Sequence, residues 1–432
     1  MKSRYNFSLD KIKGETILPL ITERSDNYRL TLFGMLYFVQ GVTGAFTINF
    51  AKPYLNQAGV DADQIALLFV LLLIPFIIKI VYGILSDRIN LFGWGHRIPY
   101  IVIALIISAL GIALAGFVDP GASFWLFAVL ILFNSFAVAL FDTTADALAV
   151  DITPEEDQGR VQSIMTGGRA VGFVIMSLLI GWIAQRFGFF SVFIIISLLM
   201  LTPLFWVLAV REPADLIKTD EFSWSYFGAL GRPSWLIFAL YALISWFIFS
   251  GTDGLITFYL DAEFGASETQ IGTFGALRGI GTIIGALVFG LIIGRLGKWR
   301  TAILATILVA VGAFSFSFLP SIGIFLLAAS VWGFFNGIFN TIFMVFAMER
   351  TDPAIAGSMF AISMSVINIG TAIGEGVATS LTDNIGFVSV FQLLAASSIL
   401  IFPVLWFMQR TERTTMQAHL DSQDATIGTD GV

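Results

Sequence analysis

Apolar residues along the chain come in long blocks parted by short polar clusters. Each block has the length, about 20 residues, that a helix needs to cross the hydrocarbon of a bilayer. Twelve blocks can be placed, near 30–51, 65–85, 98–118, 124–149, 161–184, 189–210, 234–260, 270–293, 301–319, 322–348, 358–381 and 386–408. They predict an all-α membrane protein of twelve transmembrane helices. The polar stretch up to Arg29 has no apolar run followed by a small-residue cleavage site. No removable signal peptide is therefore expected, and the first block acts as its own insertion signal.

Composition agrees. Of 432 residues, 57% are hydrophobic and only 12% charged, far from the balance of a soluble globular chain. The 43 Phe and 10 Trp suit lipid-facing surfaces and interfacial belts. No polar stretch is long enough for a separate soluble domain, so the expected surroundings are the lipid bilayer, most simply the cell membrane.

Lys and Arg set the orientation. They fall in the N-terminal segment, in the loops after even-numbered blocks and in the C-terminal tail, which predicts that both termini are cytoplasmic. Lys52 and Arg186 alone lie on the opposite face, and Lys79, Arg169 and Arg278 lie inside blocks.

The longest internal hydrophilic stretch runs from Arg211 to Pro233. It divides the chain into a cytoplasmic N-terminal segment (1–29), a six-helix bundle (30–210), a cytoplasmic central loop (211–233), a second six-helix bundle (234–408) and a cytoplasmic tail (409–432). Internal repetition supports the division. GILSDR at Gly83 to Arg88 recurs as GLIIGR at Gly290 to Arg295. At one constant offset Asp142, Thr143, Asp151, Thr153, Gly159 and Gly172 line up with Asn340, Thr341, Glu349, Thr351, Gly357 and Gly370.

The absence of Cys excludes disulfides, thiol catalysis and Cys-ligated metals, and two His (His96, His419) leave no metal cluster to propose. RGIGTIIG, Arg278 to Gly285, has neither the spacing nor the preceding strand of a nucleotide-binding loop. With no nucleophile and base set and no Walker loop, neither an enzyme nor ATP drive is expected, and no cofactor is called for. The net charge of −7 argues against a nucleic-acid partner.

The informative residues are charges inside the blocks. An aspartate at the centre of a spanning helix costs roughly 2.5–3.5 kcal/mol on insertion scales, yet FDTTADALAVD carries Asp142 and Asp146 four apart, on one helix face. Counting back from Asp151 puts Asp142 about 13 Å and Asp146 about 7 Å into the membrane. Asp146 and Asp151 therefore read as interfacial, and Asp142 as deep enough for function.

Thr153-Pro154-Glu155-Glu156 predicts a capping box opening block 5. Arg169, farther along that helix, falls near the midplane, where a guanidinium needs a carboxylate. Asp142, on the preceding helix, is the nearest candidate. Lys79 either snorkels to the cytoplasmic surface or joins a binding site. In the second half Asp253, Arg278 and Glu375 share one depth, about 12 Å below the outer face. They predict a charged cluster, or else an Arg278 pair that merely holds two helices, with Glu375 at the mouth of a wet vestibule. Gly168/Gly172, Gly275/Gly279, Gly281/Gly285 and Gly370/Gly374 read as close helix packing.

Two parallel six-helix halves, with GILSDR matching the loop motif G-x-L-x-D-R and TPEEDQGR after block 4, resemble the major facilitator superfamily. That resemblance implies substrate binding between the halves near the midplane, with blocks 1, 4, 7 and 10 around a central cavity. It brings in Tyr37, Gln40, Thr43, Thr47, Asn134, Trp246, Asn336 and Asn340 as candidate lining, although single polar residues also bridge helices. It also implies a cytoplasmic gate in which Asp146 or Asp151 meets Arg88 or Arg97, with Asp87, Glu155 and Arg160 alongside.

PFIIKIVYGILSDR and FDTTADALAVD further resemble the P-x-x-x-K-x-x-x-G-x-x-x-D and D-x-x-x-D-A patterns of muropeptide permeases, to which folate/biopterin and acetyl-CoA transporters are similar. This implies a secondary-active transporter of a bulky, anionic organic solute, coupled to protons. The expected partners are a small-molecule substrate and the proton. Asp142, Asp146, Asp253 or Glu375 would exchange the proton, and Lys79, Arg169 and Arg278 would attract the solute. A proton-driven exporter of drugs or metabolites shares these features, and a non-transporting assembly factor is a third reading.

Overall fold

The computed structural model describes residues 18–213, 228, 230–350 and 356–413. Its helices are α1 (Asp26–Asn49), α2 (Ala51–Gln57), α3 (Ala62–Ile77), α4 (Lys79–Arg88), α5 (Ile98–Ala115), α6 (Phe124–Ile152), α7 (Glu155–Met200), α8 (Leu204–Val207), α9 (Pro233–Phe264), α10 (Glu268–Ser315), α11 (Ile322–Glu349) and α12 (Ala356–Ser397). Ser25 caps α1 by accepting the Tyr28 N–H at 3.4 Å, and Ser267 with Gln270 closes a capping box on α10. Gly265, at φ 58°, takes the left-handed turn that ends α9.

Three helical runs are too long for one crossing. At about 1.5 Å per residue, the 51-residue run Asp157–Val207 would be nearly twice the full thickness of a bilayer. It folds back at Gly188, at φ 79°, a backbone conformation that costs glycine little. α10 does the same at Gly297 and α12 at Gly386. The fold is thus twelve spans: α1 with α2, α3 with α4, α5, α6, two in α7 with α8, α9, two in α10, α11, and two in α12 with its continuation to Arg413. They form two six-helix halves.

The second block, expected as one span, is bent by 41° between α3 and α4. Pro75, inside α3, removes an N–H and crowds the preceding turn. At the bend the Val81 N–H bonds the Ile78 carbonyl three residues back instead of the Ile77 carbonyl. The Glu156 side chain that the capping box expected at span 5 requires lies outside the described residues. Pro154, at ψ 148°, is itself the N-cap, so the helix starts one residue late and Thr153 ends α6 in extended conformation.

Packing does not follow chain order. Gly168 and Gly172 of span 5 face the carbonyls of Gly34 and Phe38, so close that any Cβ would collide, and α1 lies along span 5. Span 5 scarcely touches span 4. In the second half Gly370 and Gly374 of span 11 face the carbonyls of Leu243 and Phe247 in the same way, and α9 lies along span 11. Large apolar side chains such as Leu110, Phe117, Leu287 and Leu327 point outward.

Both described chain ends lie on one face; the opposite face is termed distal. There the halves are sealed. Asn56 and Gln57 donate to Asp261 at 2.9 and 2.8 Å, Ser380 donates to Asp63, and Gly272 presses on the Ser177 carbonyl. Deeper in, Ser365 and Asn368 of span 11 donate to the carbonyls of Ile77 and Phe76, at 3.0 and 3.2 Å, where span 2 bends.

Candidate functional site

α6 carries Asp142 and Asp146 one turn apart toward α1 and α4. Asp142 is buried, forms an ion pair with Lys79, and accepts a hydrogen bond from Gln40 Nε2 at 2.5 Å. Tyr37, one turn before Gln40 on α1, donates its hydroxyl to Asp146. Lys79 therefore does not snorkel to the surface, because the bend at Ile78 turns it inward to α6. Asp146 makes no ion pair with the loop arginines among the described residues; Arg97 takes Asp87 and Asp151 instead.

The expected pair between Arg169 and Asp142 is also corrected. α1 packs between span 5 and α6, so consecutive helices are not neighbours, and Arg169 makes no ion pair among the described residues. It is exposed, yet close enough to act electrostatically on Asp142, Asp146 and Tyr37. Two acids and two bases thus gather in the first half.

The second cluster brings Asp253, Arg278 and Glu375 together and adds Lys52, which the charge pattern of the sequence places on the outer face. Asp253 accepts from Arg278 at 2.5 Å and from Trp332 Nε1 at 2.7 Å, and all three side chains are largely buried. Glu375 does not open on a wet vestibule. It pairs at 3.2 Å with Lys52, whose Nζ also donates to Thr379 at 3.2 Å. Lys52 is 2% exposed and lies over the Phe69 ring at 4.5 Å. Its signal in the sequence was FAKPYL, a lone base set in apolar residues just past the first block.

The uncharged candidates separate. Gln40 and Tyr37 are held by the acids, whereas Asn134 accepts from Ser108 at 2.6 Å, joining spans 3 and 4. Asn336 reaches Thr282 at 3.4 Å and so serves the contact between spans 8 and 10, whereas Asn340 donates back to the Asn336 main-chain carbonyl at 3.1 Å within span 10. Trp246 stands among Phe249, Phe339 and Phe343, and its buried Nε1 has no partner among the described residues. A small cavity within the first half is lined by Thr43, Thr47 and Asn134 among apolar residues of spans 1, 2, 3, 4 and 6.

On the face of the chain ends, Arg97 draws the loop ends together. It pairs with Asp87 at 2.6 Å and Asp151 at 2.9 Å and donates to Ser86 at 2.6 Å. Burial opposes its charge, but the two carboxylates outweigh that and hold its pKa above the ordinary guanidinium value. Arg88 and Arg160 are exposed, and the Glu155 side chain lies outside the described residues.

Glu212, beside Arg211 at the end of span 6, was missed. Its carboxylate accepts the main-chain N–H groups of His96 and Arg97, both at 2.7 Å, and of Ile98. The second half repeats the arrangement with other residues: Lys298 pairs with Glu349 at 2.8 Å and Glu412 at 2.6 Å, and Arg350 with Glu412 at 3.2 Å.

Comparison with known proteins agrees with this geometry. The profile of the Major Facilitator Superfamily matches residues 33–262 and 239–427. The anhydromuropeptide permease of Escherichia coli is 24% identical over 388 residues, covering 86% of this chain and 78% of that protein. The folate-biopterin transporter of Synechocystis is 24% identical over 382 residues, covering 81% of this chain and 74% of its own length. Among solved structures, the nucleoside transporter NupG superposes with a TM-score of 0.73 at 17% identity, over 88% of this chain and 99% of that one. With its twelve spans in two six-helix halves, the chain is a multi-pass integral membrane protein that belongs to the Major Facilitator Superfamily.

Proposed function

We propose that this protein moves a bulky, anionic organic solute across the bilayer by alternating access, driven by the proton gradient, with the face of the chain ends cytoplasmic. The observation that carries the reading is the half-buried Lys79–Asp142 pair, with Gln40 on the same carboxylate and Arg169 exposed nearby. Paired, Asp142 neutralises Lys79. Once Asp142 takes a proton, the ammonium is released and joins Arg169 in attracting a carboxylate or phosphate. Charge exchange of this kind favours solute and proton moving together, because each removes the electrostatic obstacle to the other.

The relatives named for anhydromuropeptides and for folate and biopterin suggest the solute class: a large, polar, anionic molecule with a ring or peptide portion. The sealed distal side fits one end state of such a cycle.

The test is uptake by proteoliposomes holding the purified chain, offered anhydromuropeptides, folates and pterins under an imposed pH gradient. Accumulation that a protonophore abolishes is expected. Equal distribution of every solute with and without the gradient overturns the reading.

A further inference from the structure

The two charged clusters are each balanced, but in different ways. In the first half Asp142 and Asp146 stand with Lys79 and Arg169, all four from that half. The distal cluster sets Asp253 and Glu375 against Arg278 and Lys52, and Lys52 belongs to the other half. Parting the halves at the distal face therefore strips the second half of one positive charge. Lys52 moves out to the mouth, where water can solvate it. Glu375 is left among the residues of its own half that act on it, Asp253 and Arg278, and Arg278 is already engaged by Asp253. A surplus carboxylate is then held inside the second half, which strongly disfavours opening.

The seat of Lys52 is built for it. Gly254 on α9 leaves the space: a Cβ there would lie 2.8 Å from Lys52 Nζ and 3.0 Å from Glu375 Cδ. Thr379 provides a hydroxyl acceptor one turn from Glu375, and Phe69 of span 2 covers the ammonium from its own half. The base of one half is plugged into a socket of the other.

We infer that Lys52 and Glu375 form a latch on the distal face, released when Glu375 takes a proton from the distal aqueous phase and becomes a neutral carboxyl group. The inference rests on the alternating-access reading and adds to it a gate with its own proton site, separate from Asp142. Protonation removes the charge that needs Lys52, so the halves part without stranding a carboxylate; the return stroke requires the proton to leave.

The natural chain has no Cys, so spin labels can be placed at Ala58→Cys and Ala262→Cys, on exposed or half-exposed positions of the two halves beside the latch. Distances are measured by pulsed electron resonance in lipid nanodiscs across a pH series. The labelled parent is expected to hold a short distance at high pH and to gain a longer one as pH falls. Glu375→Gln keeps the size and a hydrogen bond but not the charge, and it is expected to show the long distance at every pH, with the pH dependence lost. Gly254→Ala keeps every charge while displacing Lys52, and is expected to raise the long-distance fraction severalfold at neutral pH. Parent-like pH dependence in Glu375→Gln, or a parent-like distribution in Gly254→Ala, overturns the latch and leaves the transport reading standing. Distances that change in no variant at any pH overturn both.

Discussion

Lys79 meets Asp142 because span 2 breaks one residue before it, at Ile78, so that the lysine opens a new helix whose first turn points at α6. In a straight span the same residue would leave the chain at another angle, and the deepest acid of the first half would have only Gln40.

Replacing Asp142 by Asn tests the role proposed for this pair. The amide keeps the size of the carboxylate and a bond to Gln40 but cannot carry or release a proton. Uptake driven by a pH gradient is expected to fall to background, while exchange of solute without a gradient persists. Removing the side chain is expected to behave differently: Asp142→Ala leaves a partly buried ammonium unpaired and should destabilise by roughly 3 kcal/mol. Replacing both partners, Lys79→Met with Asp142→Leu, should recover most of that loss without restoring transport. Thermal unfolding in detergent and proteoliposome uptake read the two effects.

Arg169 and Arg278 separate binding from stability. Arg169 is exposed and forms no ion pair among the described residues, so Arg169→Gln strands no partner and should change stability by no more than about 0.5 kcal/mol. As a proposed solute site it should raise the KM for an anionic solute by about tenfold, the equivalent of one charged contact. Arg278→Gln strands Asp253, to which Arg278 is bound at 2.5 Å, and should lower the unfolding temperature as well as the activity. Equal stability losses in both variants would remove the distinction.

The glycines make a prediction about assembly. A methyl at Gly172 would strike the Phe38 carbonyl, which is main chain and cannot turn aside, so Gly172→Ala should destabilise by about 1–3 kcal/mol. Gly167, on the same helix, has nothing within 4 Å of the position a methyl would take. Gly167→Ala should therefore be neutral or stabilise by up to about 1 kcal/mol through helix propensity alone. Thermal melts of the two variants side by side decide whether close approach, rather than glycine content, ties span 5 to span 1.

What the sequence made legible follows from what is local. The spans and the glycine pairs are set by residues within a few turns of one another. The back-turns at Gly188 and Gly297 fall between predicted blocks for the same reason, and the one at Gly386 falls on the first residue of the last block. Pairings between helices were not legible. Arg169 was assigned to Asp142 because spans 4 and 5 are consecutive, but small residues on span 5 bring it against span 1 instead. Lys52 looked like a loop base because its partner lies 323 positions later, in the other half, at Glu375. Pro75 was visible, but the direction in which it would aim Lys79 depends on tertiary packing.

Glu212 carries the last prediction. One of its oxygens accepts the N–H groups of Arg97 and Ile98 and the other accepts that of His96, so both oxygens serve as acceptors and neither position tolerates a donor. Gln in its place turns an NH2 group toward at least one N–H. Each hydrogen bond to a charged group contributes about 1.5–3 kcal/mol, so the amides of His96, Arg97 and Ile98 should exchange with solvent roughly ten to a hundred times faster in Glu212→Gln. Asp151→Asn, which weakens the Arg97 side-chain pair but leaves these amides alone, is the control and should leave their exchange rates near the parent's. The loop between spans 2 and 3 would then be tied to the end of span 6 through Glu212, where the chain leaves the first half for the second. Hydrogen exchange read by mass spectrometry on peptides spanning 95–98 measures it, and unchanged exchange in Glu212→Gln would show that the carboxylate is not what holds the loop.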